Sequence, residues 1–388
     1  MDGQVLFRWT VPVAGALLIA LVLLDVFFTV LYARIGTGVI SHPLSCGTWF
    51  VFRSVGKRLA RWRNTVLSYC GPVVLVLLVN VWLWGLMIGG ALIVWPRLGT
   101  SITATSGPTP RGFMTALYVA GDTMTTVGTS DLAPHTPLLR LLYPASSLLG
   151  ISVITLTLTY FVEIYTSLQR RNTLALKVHL ATGETGDAAE LVAGLGPQGR
   201  FDEGYAHLAE MGAEIVGVKE AHHFYSVLVY FRFAEPHYAL SRVALVTLDA
   251  VTLIKSALAD ERYGWLKESA AVEQLWRASM RMSTLLADSF LPGGMPEPQG
   301  GADASTRDRW RERYLAAVRR LREAGIETNR DEANGAETYA ALRSRWDRYV
   351  KAFADHMLHD LDTIDPAGTH PETADQRPPF ATRLRSAG

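Results

Sequence analysis

Residues 123 to 131 read Thr-Met-Thr-Thr-Val-Gly-Thr-Ser-Asp. Hydroxyl-bearing and small residues crowd this stretch, and apolar sequence flanks it on both sides. Thr126 can offer a hydroxyl and a carbonyl oxygen; Val127, Gly128 and Thr129 can offer carbonyls, with Ser130 and Asp131 closing the run. No convincing nucleophile and base pair is found in the chain. The chemistry open to the stretch is cation coordination, because a ring of backbone carbonyls can replace an ion's hydration shell.

A loop of this kind needs elements to hold it. A mostly apolar run from Phe113 to Asp122 has the length of a short helix, and an apolar span at 137–168 follows Leu132-Ala133-Pro134. Ahead of it lies another apolar span, 71–95, with Asn80 its one strongly polar side chain. Irregular backbone at membrane depth is tolerated only where protein buries it or it lines water. Span, half-helix, loop and span therefore predict a re-entrant pore.

At these residues the sequence resembles the potassium-channel family, whose filter reads Thr-Val-Gly-Tyr-Gly-Asp. Here positions 126–131 read Thr-Val-Gly-Thr-Ser-Asp. The resemblance covers roughly a tenth of the chain by motif and a quarter by layout. It implies an outer helix at 71–95, a pore helix at 111–125, a filter at 126–131 and an inner helix at 137–168. It also implies a homotetramer, with potassium as permeant ion bound at Thr126, Val127, Gly128, Thr129 and Ser130. By the same resemblance Thr125, Asp122 and Asp131 support the filter, the two carboxylates sharing a proton behind it, and Gly150 is a candidate gating hinge. The sequence departs from the family where Thr129 replaces its tyrosine and Ser130 its second glycine. A non-glycine residue at positive φ is strained by about 1–2 kcal/mol, and a widened outer filter would conduct cations with little selectivity.

Composition bounds the rest. The chain has 388 residues, 49% hydrophobic, with a net charge of +1. Apolar runs fill the first 170 or so residues, and the near-zero charge shows no nucleic-acid footprint. Cys46 and Cys70 read as two incidental thiols. Residues 1–34 form a further membrane helix, retained rather than cleaved, with the intramembrane carboxylate Asp25 in it. Such a residue calls for a partner, and the sequence points to interface water or Asn80. Residues 35–70 are basic and polar, with aromatic residues interleaved at near-helical spacing, and suit either a helix on the membrane surface or a simple loop. Basic clusters at 34–63 and 170–177 put both segments in the cytosol and the N-terminus outside. No regular arginine series marks a voltage sensor. In the inner span Thr155, Thr157 and Thr159 do not share one helical face, and Glu163 lies near the inner mouth, where it can attract cations or pair with Arg170 or Arg171.

From residue 172 the composition is that of a soluble protein. Helix-like apolar spacing covers Leu174–Ala193, Phe201–Glu220, Ala239–Leu258 and Val272–Leu286, and Phe224–Phe233 suits a strand or a buried helix. A mostly helical domain is predicted at 172–290 and a Pro/Gly linker at 291–303. A helical region follows at 304–362, with charged helices at 304–324 and 331–361 whose charges face solvent, and then a disordered tail at 363–388. His222-His223 and the helically spaced His356/His359 pair could bind a metal, but with no His-Glu-x-x-His motif and no cysteine partner they read as ordinary histidines.

The expected protein is an all-α, multi-pass membrane channel, with a helical cytosolic domain open to an unknown ligand or partner. It contacts membrane lipids and not nucleic acid, needs no cofactor beyond the permeant ion, and fits a bacterial inner membrane. The rival readings are a poorly selective cation channel and a membrane-anchored signalling or scaffold protein with a silent pore.

Overall fold

The computed structural model describes residues 2–32, 38–128, 131–291, 294 and 303–365. They form an all-α protein with one short two-stranded ribbon. The chain divides into two compact units. The first comprises Met1–Phe52, Tyr69–Thr166 and Phe224–Phe231; the second comprises Arg53–Ser68, Ser167–His223 and the described residues from Arg232 onward. The early helices are α1 (Asp2–Val26), α2 (Ser41–Arg58), α3 (Arg63–Ser68), α4 (Cys70–Val94), α5 (Phe113–Thr125) and α6 (Pro137–Ala181). Strands β1 (Ile102–Ala104) and β2 (Leu132–Pro134) flank α5.

Among the described residues, three helices are long and apolar enough to cross a membrane: α1, α4 and α6. With 25 residues, α4 is about 37 Å long and exceeds the ~30 Å hydrocarbon core. The 13 residues of α5 reach only about 20 Å, so it cannot cross. Small residues bring α1 and α4 together. A Cβ on Gly85 would stand 2.7 Å from Val22 Cγ2, and one on Gly89 would stand 2.6 Å from Ile19 Cγ1. In lipid, helices associate through such close packing because lipid tails are as apolar as the side chains.

Asp25 ties this unit together. It is fully buried, and four donors reach it. Trp82 Nε1 donates from α4 at 2.7 Å, while the backbone N–H groups of Ile40 (2.7 Å) and Ser41 (3.1 Å) donate from the start of α2. The Ser41 hydroxyl donates to the second carboxylate oxygen. A carboxylate is thus stabilised at a helix N-terminus, where unpaired N–H groups and the helix dipole favour negative charge. Of the two partners the sequence suggests, interface water and Asn80, the Asn80 amide donates instead to the Val76 carbonyl of its own helix at 2.8 Å.

The second unit contains α7 (Ala188–Leu195), α8 (Asp202–Phe224, to His223), α9 (Leu240–Ala257), α10 (Asp260–Lys267), α11 (Ala270–Phe290), α12 (Ala304–Glu323), α13 (Glu332–Ser344), α14 (Asp347–His356) and α15 (Leu361–Ile364). Nearly every residue of α9 is buried, as expected of a helix surrounded by others. On it, fully buried Asp249 accepts from Arg313 Nε (2.9 Å) and Nη2 (2.6 Å), Arg343 Nη1 (3.2 Å) and Tyr339 OH (2.6 Å). Both arginines also donate to Asp365, at 2.8 and 2.5 Å.

Several boundaries differ from the sequence reading. The inner helix expected at 137–168 runs unbroken to Ala181, because residues 169–181 contain no breaker and bury Leu174, Ala175 and Val178. It stops where Gly183, Glu184 and Gly186 take positive φ, so the expected helix at Leu174–Ala193 is split between α6 and α7. Phe224–Phe233 is neither strand nor long helix: a 3-10 turn at Ser226–Tyr230 buries Val227 and Leu228. The helix expected at 331–361 is broken into α13, α14 and α15, with Trp346 fully buried at the first break and its indole N–H donating to Thr252 at 3.1 Å. The charges of this region do not all face solvent, since Arg313 and Arg343 are buried. Most of the linker and residues 366–388 of the tail lie outside the described residues.

Two measurements test this packing. Asp25→Ala strands four donors and should lower the stability of the purified protein by about 3 kcal/mol, read as a fall in Tm, with Asp25→Asn costing less because an acceptor remains. Burial, with help from nearby arginines, holds His222 and His359 down to about 3 and His356 down to about 4. The unfolded chain therefore takes up protons below about pH 6.5 that the folded chain refuses. Stability should be complete above that pH and fall as the pH drops toward 4, by up to about 2 kcal/mol per histidine at pH 5. His222→Gln should flatten the fall in Tm.

Candidate ion pathway

The half-helix α5 is held on two sides. Towards α4, a Cβ on Gly90 would stand 3.0 Å from Met124 Cε and 3.2 Å from Ala120 Cβ. Ala116, Val119 and Ala120 pack with Ala91, Val94, Leu98, Ile102, Leu132 and Leu139 in a buried cluster. Towards α6, the Ser147 hydroxyl donates to the Thr123 carbonyl at 2.6 Å, and a Cβ on Gly150 would overlap the Met124 carbonyl. The end of α5 thus rests on a bare patch of α6 backbone. Close approach is a sufficient reason for a glycine at 150.

Beyond α5 the backbone turns sharply. Thr125 donates its hydroxyl to the Gly121 carbonyl at 2.7 Å. Thr126 takes a left-handed conformation (φ 59°, ψ 24°), and Gly128 has φ +70°. For Thr126 that geometry costs about 1–2 kcal/mol. Thr126, Val127 and Gly128 are exposed in the single chain, and Val127 is 66% exposed although apolar. Thr129 and Ser130 lie outside the described residues. The loop's far end is anchored by the ribbon, in which Ile102, Thr103 and Ala104 oppose Pro134, Ala133 and Leu132. The Asp131 carbonyl accepts from Thr105 N–H at 2.9 Å, and its carboxylate accepts from the Tyr118 hydroxyl at 3.5 Å. Asp122 is half-buried near Tyr143 of α6.

The last carbonyls of α5 have no intrahelical partners and carry the negative end of its dipole. They favour a cation where the Thr-Val-Gly loop begins. On α6, Thr157 turns inward, and its hydroxyl donates to the Val153 carbonyl at 2.8 Å. Ser152, Thr155, Thr159 and Glu163 are all exposed and spaced three or four residues apart, so they share one face. The three threonines indeed do not share a face, but two of them join a polar stripe that ends at Glu163. Sequence reasoning missed this stripe, which the 152/155/159/163 spacing displays. It also missed the Gly85/Gly89 pair and the supports Ser147 and Tyr118. The glycine pair was visible as a four-residue repeat; the other two had no signal of their own. Among the described residues, no group of three or more His, Cys, Asp or Glu is arranged to hold a metal ion.

Three membrane-length helices make this a multi-pass membrane protein. Residues 81–167 match the family model described as an ion channel, so an ion-channel-like domain occupies this part of the chain. The match supports a transport-type protein rather than an enzyme. The chain is also 26% identical over 250 residues, 64% of its length and 71% of the relative's, to a protein of Bacillus subtilis named as the uncharacterized membrane protein YdjJ. No solved structure matches the chain significantly.

The contact between α5 and α6 is testable. Gly150→Ala forces the two backbones apart and should destabilise the protein by about 1–3 kcal/mol, lowering its Tm in detergent. Ser147→Ala should have a smaller effect, about 1 kcal/mol.

Proposed function

We propose that this chain is a subunit of a homotetrameric potassium channel that conducts passively down the electrochemical gradient. The observation that carries the reading is the short helix α5, unable to cross, whose C-terminal end opens on an exposed Thr126-Val127-Gly128 loop with left-handed backbone at Thr126 and Gly128. One chain cannot close a ring around an ion, and the exposure of Val127 in the single chain suits a surface that other copies cover. In the assembled ring Thr126, Val127, Gly128, Thr129 and Ser130 supply the ion-binding oxygens, and Thr125, Asp122 and Asp131 support them. Ser152, Thr155, Thr159 and Glu163 line the pathway below. Gly150 serves as a packing point against α5 and as the place where α6 pivots. The N-terminus lies outside, and the C-terminal region from residue 172 lies in the cytosol of a bacterial cell.

Thr129 and Ser130 favour a second reading, a cation pore with little discrimination, because the sequence lacks the resembled family's Tyr and second Gly. Flux from liposomes holding the purified protein separates the two. Under potassium and sodium gradients of equal size, the first reading expects potassium flux at least about tenfold larger, a difference of about 1.4 kcal/mol. Gly128→Ala should abolish flux. Equal flux of both ions establishes the second reading, and the double substitution Thr129→Tyr, Ser130→Gly should then restore potassium preference. A wild-type chain that carries no ion, even after removal of residues 172–388, defeats both.

A further inference from the structure

A cavity of about 860 Å³ opens in the second unit between the last turns of α6, the helices α7 and α8, and the C-terminal end of α12. Its floor is apolar, built from the buried Leu191, Leu195 and Met211, and the half-exposed Leu180 also lines it. Its rim is acidic. Four carboxylates (Glu190, Glu210, Glu214 and Glu323) stand there against two cations, Lys177 and Arg320. Arg320 is committed to Glu190, donating from Nε at 2.8 Å and Nη2 at 2.9 Å. Lys177 is shared between Glu210 at 3.0 Å and Glu214 at 2.5 Å, so one ammonium serves two carboxylates. The second oxygen of Glu214 is shielded from solvent and has no hydrogen-bond partner. His207 also lines the cavity, 4.0 Å from Glu210; with its ring uncharged the rim carries an excess of two negative charges over an apolar floor.

We propose that this cavity binds an organic cation with an apolar body, such as a hydrophobic ammonium or phosphonium. The volume lies in the range of small-molecule sites, which are typically apolar clefts with a few placed polar groups. Burial of an apolar body against the leucines drives entry. The uncompensated carboxylates choose the sign of the charge, and an anion of the same shape is repelled. Lys177, Leu180 and Ala181 belong to α6, the helix that also forms the third membrane-length span. An occupant is thus in direct contact with that helix. Its effect on conduction rests on the channel reading, whereas its binding does not.

The test uses the full chain in nanodiscs and needs no ion flux. Tetraphenylphosphonium and tetraphenylborate have the same shape and opposite charge. The expected result is a rise of several degrees in Tm with saturating tetraphenylphosphonium and none with tetraphenylborate. Glu210→Gln with Glu214→Gln leaves Lys177 unneutralised at the rim and should weaken phosphonium binding at least tenfold. Leu191→Trp, which fills the floor, should abolish it. The paired rim substitutions lie at the surface and keep the test decisive if Leu191→Trp does not fold. A wild-type Tm that neither ion moves, or that both raise alike, overturns the proposal. So does an equal rise with phosphonium in wild type and in the rim variant, which would assign the binding elsewhere, the pore included.

Discussion

A helix leaves its last carbonyls without intrahelical partners, and those shut away from water must find partners elsewhere in the protein. This constraint shapes the first unit. The end of α5 meets α6 directly: the Met124 carbonyl lies over Gly150, and the Thr123 carbonyl accepts the Ser147 hydroxyl. Any side chain at 150 would displace the loop that follows. The position of Thr126, Val127 and Gly128 therefore depends on a residue more than twenty places further along the chain. The β1/β2 ribbon fixes the other end, so the loop is held on both sides, and Thr126, Val127 and Gly128 are exposed.

Among the described residues, each unit also contains one fully buried carboxylate, solvated in a different way. Asp25 is surrounded by neutral donors: an indole, a hydroxyl and two amides at the start of α2. Asp249 is surrounded by guanidinium groups and a phenol. A buried charge is tolerated only when its lone pairs are satisfied. Asp25 thereby fixes where α2 starts relative to α1 and α4, and Asp249 fixes how α12 and α13 dress α9. Asp365 shares both arginines and brings the end of the described chain into the same network.

How far the sequence could be read depended on the range of each signal. The apolar runs were legible, and the three membrane-length helices fall where they lie. The spacing of small residues in α4 was legible too, although close packing becomes evident only when Val22 and Ile19 are seen against Gly85 and Gly89. The charged helices near the C-terminus do carry solvated faces, but the reading that their charges face solvent fails at Arg313 and Arg343. Nothing local distinguishes Arg313 and Arg343 from the exposed arginines around them, because what buries them is an aspartate 64 residues from one and 94 from the other. The single long helix expected at 331–361 failed for the same reason. No breaker precedes Trp346, and the chain bends there to bury the indole against Thr252.

By itself the sequence determined which segments are apolar enough to enter a membrane, that one segment between them is too short to cross, and that a Thr-Val-Gly loop follows it. These are properties of composition and period, which neighbouring residues settle among themselves. Only the tertiary structure decided which partner satisfies each buried polar group: Trp82 and α2 rather than Asn80 for Asp25, the α6 backbone for the end of α5, and two distant arginines for Asp249. It also decided which hydroxyls of α6 turn inward, as Thr157 does, and which join Glu163 on an open face. Such choices are made by contacts between residues far apart in the chain, and no local pattern encodes them.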